Sequence, residues 1–230
     1  MKIILLTVLT IIIYKLIKLT NKKWTLAFLH PLLLCPIVII LLIHVLGISA
    51  DTYMDSAKVL TDLLGPATVA FAIPIYKHFH LVKKYMGTII VSITIGTLVA
   101  ISSTFVLSIV LHLNSTFLIS ILPRSITTPI AIEVSKEIGG TPTLTTIFVI
   151  ITGISGGIIG PFTLKWLAIK SPIAKGLSLG MSAHGVGTSK AMEYGEQEAT
   201  FSSLAMIFAA ILTMGWGSFL IPLLMNMAHI

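Results

Sequence analysis

The chain has 230 residues, of which 56% are hydrophobic and 10% charged, and its mean hydropathy is +1.04. A soluble domain carries about 25% charged residues, so this composition excludes one and predicts an integral membrane protein. The net charge of +7 does not indicate nucleic-acid binding, because the lysines fall in short stretches between apolar runs. The single cysteine, Cys35, excludes a disulfide framework.

The predicted fold class is an all-α polytopic membrane protein with about seven to eight hydrophobic segments, each near the 20 residues that a span needs. The whole chain, 1–230, is predicted to form a single integral membrane domain. The stretch Asp51–Leu64 differs, because its apolar and charged residues alternate with helical period and predict a short interfacial helix. The apolar segments are 3–19, 27–47, 59–77, 86–112, 116–136, 143–168, 172–192 and 201–228.

A shift of the chain by 116 residues brings its apolar runs into coincidence. Internal hydropathy symmetry is typical of transporters built from repeats, although evenly spaced helices can also coincide by chance. The shift predicts two repeat units of three spans each. The resulting division is 1–25 for an N-terminal span and basic loop, 26–114 for repeat unit 1, 115–141 for a central segment and 142–230 for repeat unit 2.

The distribution of lysines predicts the orientation of these units. The positive-inside rule places three basic loops in the cytoplasm, and the acidic stretch Glu193–Glu198 on the opposite side. This is possible if 116–136 enters the membrane and returns to the same side, so that the two repeat units are inverted. A full crossing by 116–136 is the alternative. The basic loops contain Lys15, Lys18, Lys22 and Lys23; Lys77, Lys83 and Lys84; and Lys165, Lys170 and Lys175.

The central stretch Leu122–Gly140 combines charges, prolines and hydroxyls within an apolar chain. Such a segment is costly at membrane depth unless it lines a cavity or packs in protein. It is therefore interpreted as a substrate-facing re-entrant or broken helix, with a solvated loop between two ordinary spans as the alternative. The candidate substrate-binding residues here are Arg124, Ser125, Thr127 and Thr128.

The third and seventh segments are both interrupted, the third by Pro66 and Pro74 and the seventh by Gly180, Gly185 and Gly187. Paired interruptions at matching places predict broken helices that cross near the middle of the membrane and form a binding site. Free N–H groups at a broken helix end attract an anion. Close helix packing through small residues is the alternative. The candidate substrate-binding residues here are Thr68, His184, Gly185, Thr188 and Ser189.

Two titratable side chains are candidates for proton coupling. His184 has an ordinary pKa near 6.5 and lies between glycines, but it could equally be a hydrogen-bonded packing histidine. Glu133 could carry a proton or pair with Arg124, and the pair is the favoured interpretation. Arg124 could instead bind a substrate carboxylate in a bidentate manner or anchor the segment at the membrane interface. Lys190 and Glu193, three positions apart, predict a simple ion pair.

The sixth segment contains Gly153 and Gly157, which together with neighbouring small residues give a small-xxx-small spacing that predicts tight helix packing. It lacks the lysine and hydroxyl of a phosphate loop. The sequence contains no metal-ligand motif, nucleophile elbow or catalytic carboxylate pair, so we expect neither an enzyme nor a cofactor.

Three motifs resemble the LrgB/CidB family of bacterial membrane proteins over nearly the whole chain. They are AIPIYK (Ala72–Lys77), LPRSIT with IEVSKEIGG (122–127 and 132–140), and AKGLSLGMSAHGVGTSKAMEYG (Ala174–Gly195). Arg124 and the run Lys190–Glu193 are more similar to the CidB branch.

The resemblance implies two functions. One is a holin/antiholin-associated partner of a small holin-like membrane protein, which influences murein hydrolase activity, autolysis and programmed cell death. The other is transport of small monocarboxylates, because a related plastidial protein exchanges glycolate and glycerate. The favoured expectation is a multi-pass transporter of pyruvate, lactate, acetate or glycolate in the bacterial cytoplasmic membrane. Proton coupling and a homo-oligomer stay open.

Overall fold

All regular secondary structure in the described part of the chain is helical. The computed structural model describes residues 2–23, 31–70 and 72–227. The chain divides after Ala70 into two compact units, 1–70 and 71–230, within the predicted first repeat unit. The helices are α1 (Lys2–Lys23), α2 (Pro31–Val45), α3 (Ala50–Asp62), α4 (Leu64–Ala70), α5 (Ala72–Lys77), α6 (Phe79–Lys84), α7 (Met86–Val110), α8 (Ser115–Ile121), a 3₁₀ turn (Leu122–Ser125), α9 (Thr128–Glu137), α10 (Pro142–Trp166), α11 (Pro172–Met192), α12 (Glu196–Ser218) and α13 (Leu220–Met227).

In the first unit, α1 packs against α2 and α3. The Thr7 hydroxyl donates to the carbonyl of Ser56 at 2.7 Å, and Ile17, Cys35 and Ile39 form a small buried cluster. The predicted amphipathic helix is confirmed as α3, which Ser49 caps by accepting from the backbone N–H of Thr52.

The second unit is organised around α7, α10 and α12. These three helices, of 25, 25 and 23 residues, are long and apolar enough to cross a membrane by length and composition. At 1.5 Å per residue, each spans about 35 Å, slightly more than a hydrocarbon core.

One end of the second unit is marked by an ion pair. The Nζ of Lys77 lies 2.8 Å from Oε1 of Glu196, where α12 begins. α7 begins near this end, because its Ile89 shares a buried cluster with Phe201 of α12. α11 begins there as well, since a Cβ added at Gly176 would lie 2.5 Å from the Glu198 carbonyl oxygen. We call this the basic end, because the loop between α10 and α11 also lies there and carries further lysines.

The opposite end, which we call the far end, is where α7 and α12 finish and α10 begins. The Ser218 hydroxyl, at the end of α12, donates to Oε1 of Glu137 at 2.7 Å. Ile101 of α7 and Ile221 of α13 share a buried cluster. α7 and α12 therefore run in the same direction, from the basic end to the far end, and α10 runs the opposite way.

Helix α11 folds back on itself at His184, which has φ 39° and ψ −118°. The Nζ of Lys175 lies 5.2 Å from the ring centroid of Tyr194, whereas positions 175 and 194 of a continuous helix would be about 28 Å apart. Because the chain reverses at His184, Leu179 and Ala191 also lie in one buried cluster. α11 is thus a helical hairpin with arms 172–183 and 185–192. The first arm starts at the basic end, and the second arm finishes there.

The central segment, from α8 to α9, starts and finishes at the far end. The Thr145 hydroxyl contacts the Ser120 carbonyl at 2.8 Å and the Ser135 hydroxyl at 2.7 Å, so both limbs of the segment contact the start of α10. Between the limbs lies the 3₁₀ turn that carries Arg124.

The predicted separation of charges is wrong at one place. Glu193–Glu198 was expected on the side opposite to Lys77, but Lys77 and Glu196 form an ion pair. The reason is that 172–192 reverses at His184, so that its two ends lie at the same end of the second unit. The inverted relation predicted between 26–114 and 142–230 consequently fails for α7 and α12, which occupy matching places in that register and run in parallel.

Candidate functional site

Arg124 lies at the apex of the central segment, where Pro123 helps to end α8 in a tight 3₁₀ turn. Its Nε donates to the Thr104 hydroxyl of α7 at 3.2 Å, and its Nη1 donates to the Thr152 hydroxyl of α10 at 3.2 Å. The side chain is half-buried. None of the ion pairs between described residues includes Arg124. This guanidinium therefore has hydroxyl acceptors but no carboxylate counter-charge within residues 72–227.

The predicted pair between Arg124 and Glu133 is wrong. Glu133 points away into exposed space on α9 and accepts from Nζ of Lys136 at 2.8 Å. Glu133 and Lys136 are three positions apart on one helix, so their ion pair forms locally. The predicted pair between Lys190 and Glu193 is confirmed, with Nζ to Oε2 at 2.6 Å.

A cavity of about 440 Å³ opens beside Arg124, between α10 and the first arm of α11. Its polar wall consists of hydroxyl side chains from both helices, and its remaining wall is mainly aliphatic. Such a mixture, one charge and a few hydroxyls among apolar groups, is typical of a site for a small anion with an apolar part. The hydroxyls are Thr152, Ser155 and Thr163 on α10 and Ser178 and Ser182 on α11.

The apex of α11 lies against the middle of α10. His184 is only 6% exposed, and its Nε2 has no hydrogen-bond partner among the residues that the structure describes. Its positive φ is rarely adopted by a non-glycine residue and costs roughly 1–3 kcal/mol. A strained backbone and an unpartnered buried nitrogen therefore coincide at one residue, two positions beyond Ser182 of the cavity wall.

Glycines of α10 form the surface against which the α11 hairpin packs. A Cβ added at Gly157 would lie 2.6 Å from the Val186 side chain, and one at Gly160 would lie 2.8 Å from that of Leu179. The tight packing predicted for this segment is confirmed. Without side chains at these positions, both arms of the hairpin approach the α10 backbone.

The other predicted binding residues are distributed over several environments. Ser125, Thr127 and Thr128 follow Arg124 closely in the chain and are partly exposed. Thr188 is fully buried, donates to the His184 carbonyl at 3.0 Å and contacts the Ser202 hydroxyl at 3.0 Å.

The remaining positions divide between helix surfaces and packing contacts. Ser189 is exposed and Gly185 partly exposed, whereas Gly180 and Gly187 are buried. Gly180 contacts the backbone of Ser202, and Gly187 contacts the Leu179 carbonyl. Pro74 lies in α5 of the second unit.

Part of the predicted site falls in the first unit. Pro66 and Thr68 lie in α4. The Thr68 side chain is outside the described part of the structure, as is Phe71 between the two prolines. The contact predicted between the third and seventh segments stays a prediction.

Two groups of residues were missed from the sequence. Thr104 and Thr152, the acceptors of Arg124, lie 20 and 28 positions from it. Ser155 and Ser178 line the cavity. The available signal was a hydroxyl within an otherwise apolar helix, and many such hydroxyls simply bond to their own helix, as Thr146 does to Pro142. No group of three or more His, Cys, Asp or Glu in the described ranges is placed to hold a metal ion.

Known proteins similar to this chain share nearly all of its length. The sequence profile of the LrgB-like family matches residues 10–227. An uncharacterized Bacillus subtilis protein, YwbG, is 43% identical over 93% of this chain and 95% of its own length. The holin-like protein CidB of Staphylococcus epidermidis is 35% identical over 96% of this chain and 95% of its own. CidB of Staphylococcus aureus is 34% identical over the same shares. No solved structure matches the chain.

Proposed function

Since this chain belongs to the LrgB-like family of membrane proteins, we propose that it carries small monocarboxylates of the pyruvate, lactate, acetate or glycolate type across the bacterial cytoplasmic membrane. The observation that carries the proposal is Arg124, a half-buried cation without a carboxylate partner among residues 72–227, beside a cavity lined by hydroxyls. A charge in an apolar span is costly unless it is compensated. A substrate carboxylate supplies that compensation.

The chemistry of the cavity suits one carboxylate better than two. The guanidinium uses Nε and Nη1 on Thr104 and Thr152, and it has five N–H donors in all, so others stay available to a carboxylate. Hydroxyls such as Ser155 and Ser182 can bond to a keto or hydroxyl oxygen. The aliphatic remainder of the wall accepts a methyl or methylene group.

The proposed membrane arrangement has two re-entrant hairpins. α7 and the central segment form one pair, and α10 and α11 form a second pair of opposite direction. The opposite directions of these two pairs support an inverted repeat that relates 86–137 to 142–192. This repeat replaces the predicted one, which relates 26–114 to 142–230. Equal lengths of 25 residues for α7 and α10 also support it. Hairpins that enter from opposite sides bring irregular backbone to mid-membrane only where it lines a cavity.

Proton coupling, if present, is assigned to His184 rather than Glu133. His184 is buried at the apex of the hairpin with Nε2 unpartnered among the described residues. Glu133 is exposed and already paired with Lys136. A proton on His184 would place a second positive charge near a bound carboxylate, so proton and substrate binding would favour each other.

The test is counterflow of labelled pyruvate into liposomes that hold only this protein, with Arg124→Gln, Arg124→Lys and the exposed control Lys136→Gln. Loss of a charge-assisted contact worth about 1.5–3 kcal/mol should weaken apparent affinity roughly 10- to 100-fold in Arg124→Gln. Arg124→Lys keeps the charge, so its apparent affinity should lie between those of Arg124→Gln and the unchanged protein. Uptake by folded Arg124→Gln equal to that of the unchanged protein would remove Arg124 from the mechanism.

A second candidate function is that of a non-transporting partner of a small holin-like membrane protein, which regulates murein hydrolase activity and lysis. The name of CidB, holin-like protein, favours it. This function needs no substrate cavity, so changes on lipid-facing helix surfaces should harm it more than Arg124→Gln. Co-reconstitution with the holin-like protein distinguishes a partner-dependent carrier from a partner without transport. Carboxylate flux that alters proton-motive force could itself connect transport to autolysis.

A further inference from the structure

A second cavity, of about 410 Å³, lies at the basic end next to the cavity beside Arg124. Leu164 and Ile169 contribute to the walls of both cavities. From this arrangement, which rests on the proposed transport function, we propose that the second cavity is an outer anion-binding station on the route to Arg124. The station would hold a carboxylate between Lys165 and Lys175.

The two lysines of this cavity have no ion-pair partner among the described residues, although acidic residues lie at the same end. Glu196 is paired with Lys77, and Glu193 with Lys190. These two carboxylates are therefore engaged, whereas Glu198, which is buried beside Gly195, forms an ion pair with neither lysine of the cavity. The Lys175 ammonium rests 5.2 Å from the centre of the Tyr194 ring, which positions it without neutralising it.

Polar groups connect the outer station to the inner site. Thr163 and Ser178 line the inner cavity toward the basic end, and Ser155 and Ser182 line it nearer to Arg124. Thr152 and Lys165 are about 20 Å apart along α10 at 1.5 Å per residue. An anion that moves this distance would meet hydroxyls from both helices and a positive charge at each end.

The shared wall forms a barrier between the two cavities. Leu164 is buried in one cluster with Leu179 and Ala191, and Ile169 packs against that cluster. An apolar constriction between two cationic sites lets each hold an anion while it slows unassisted leakage. Because Leu179 belongs to the first arm of α11 and Ala191 to the second, the width of the barrier depends on the closure of the hairpin.

The first test uses pyruvate counterflow with Lys165→Gln/Lys175→Gln, in phosphatidylcholine liposomes at about 0.01 M and about 0.5 M salt. At low salt, the loss of two steering charges should lower the uptake rate at sub-saturating pyruvate about three- to tenfold, with an unchanged maximal rate. The difference should shrink at high salt. The matched control is Lys170→Gln, because Lys170 lies in the loop between α10 and α11 but does not line the cavity. An equal effect of Lys170→Gln, or no effect of the double variant, would overturn the proposal.

A second readout does not depend on transport. With Trp24→Phe and Trp216→Phe, Trp166 is the sole tryptophan, next to Lys165 and largely exposed. Iodide should quench its fluorescence at least about twofold less in the double lysine variant at low salt, whereas neutral acrylamide should quench both equally. Weaker iodide quenching in the double lysine variant would support the anion station. If neither the unchanged protein nor any variant takes up pyruvate, the transport function is rejected while the anion station stands.

Anionic lipid head groups are another source of the same chemistry. We therefore include liposomes with phosphatidylglycerol. If the double variant differs from the unchanged protein only when phosphatidylglycerol is present, the lysines bind lipid and the outer station is rejected. A difference in pure phosphatidylcholine supports the station, because that membrane carries no net charge.

Discussion

A Cβ added at Gly153 would lie 2.7 Å from Cε1 of His184, so the middle of α10 and the apex of the α11 hairpin are in direct contact. A side chain at position 153 must displace either the imidazole ring or the α10 backbone. The ring is only 6% exposed, and the same Cβ would lie 3.0 Å from Cγ2 of Val186.

We therefore expect Gly153→Ala to lower the free energy of unfolding by roughly 1–3 kcal/mol, as overpacking does. It should also reduce counterflow, because His184 and Ser182 would shift together. The control is Gly215→Ala on α12, where an added Cβ meets nothing within 4 Å. Thermal unfolding in detergent measures both variants, and equal stability would contradict the contact.

The Thr152 hydroxyl should matter for substrate affinity. Thr152→Val removes an acceptor from Arg124 Nη1 and leaves that donor unsatisfied. We expect the altered position or solvation of the guanidinium to cost about 1 kcal/mol of substrate-binding free energy. This loss corresponds to roughly a fivefold rise in the apparent KM for pyruvate. Thr152→Ser should restore the value. Thr146→Val, which loses only a bond to its own helix, is the matched control. The prediction fails if both valine variants behave alike.

The two ends of α11 should face the same compartment. In a Cys35→Ser background, we expect a membrane-impermeant maleimide to label Lys170→Cys and Gln197→Cys from one side, and Ser218→Cys from the other. The reason is that α11 reverses at His184, whereas α12 is long and apolar enough to cross a membrane. Labelling of Lys170→Cys and Gln197→Cys from opposite sides would show that α11 crosses fully. The contact of Lys175 with the Tyr194 ring would then have to be absent.

Thr188 should stabilise the hairpin rather than contact substrate directly. Its hydroxyl is buried between the His184 carbonyl and the Ser202 hydroxyl. Thr188→Val should lower the free energy of unfolding by about 1–3 kcal/mol, because the Ser202 hydroxyl loses its partner. The protein that stays folded should keep its apparent KM for pyruvate, and Thr188→Ser should recover the stability. Ser189→Ala, at an exposed neighbour, serves as the control. A raised KM at unchanged stability would place Thr188 in the binding site instead.

The all-helical membrane character and the family resemblance could be predicted from the sequence, because composition and long motifs carry them. The interruption of 172–192 was also foreseeable, since Gly180, Gly185 and Gly187 weaken a continuous helix. The direction of the chain after the interruption was not. That direction depends on contacts with Gly157 and Gly160 of α10 and with Ser202 of α12, and the lysine distribution does not report such contacts.

The partners of Arg124 show a second limit of sequence reasoning. Glu133 is close in sequence and opposite in charge, so it was the natural candidate for a pair. The helical turn between Glu133 and Lys136 instead favours the local pair. Thr104 and Thr152 become neighbours of Arg124 only because α7 and α10 both pass the apex of the central segment.

The burial of α12 has a consequence for the order of assembly during synthesis. Residues Ala199–Met206 are all buried, and Gly176 and Gly180 of α11 rest on this part of α12. The α11 hairpin, whose backbone reverses at His184, therefore needs this face of α12 as well as the glycines of α10 to cover it. We expect a chain truncated before Glu196 to leave the α12 side of the hairpin uncovered, so the hairpin should complete its packing only after α12 has been synthesised.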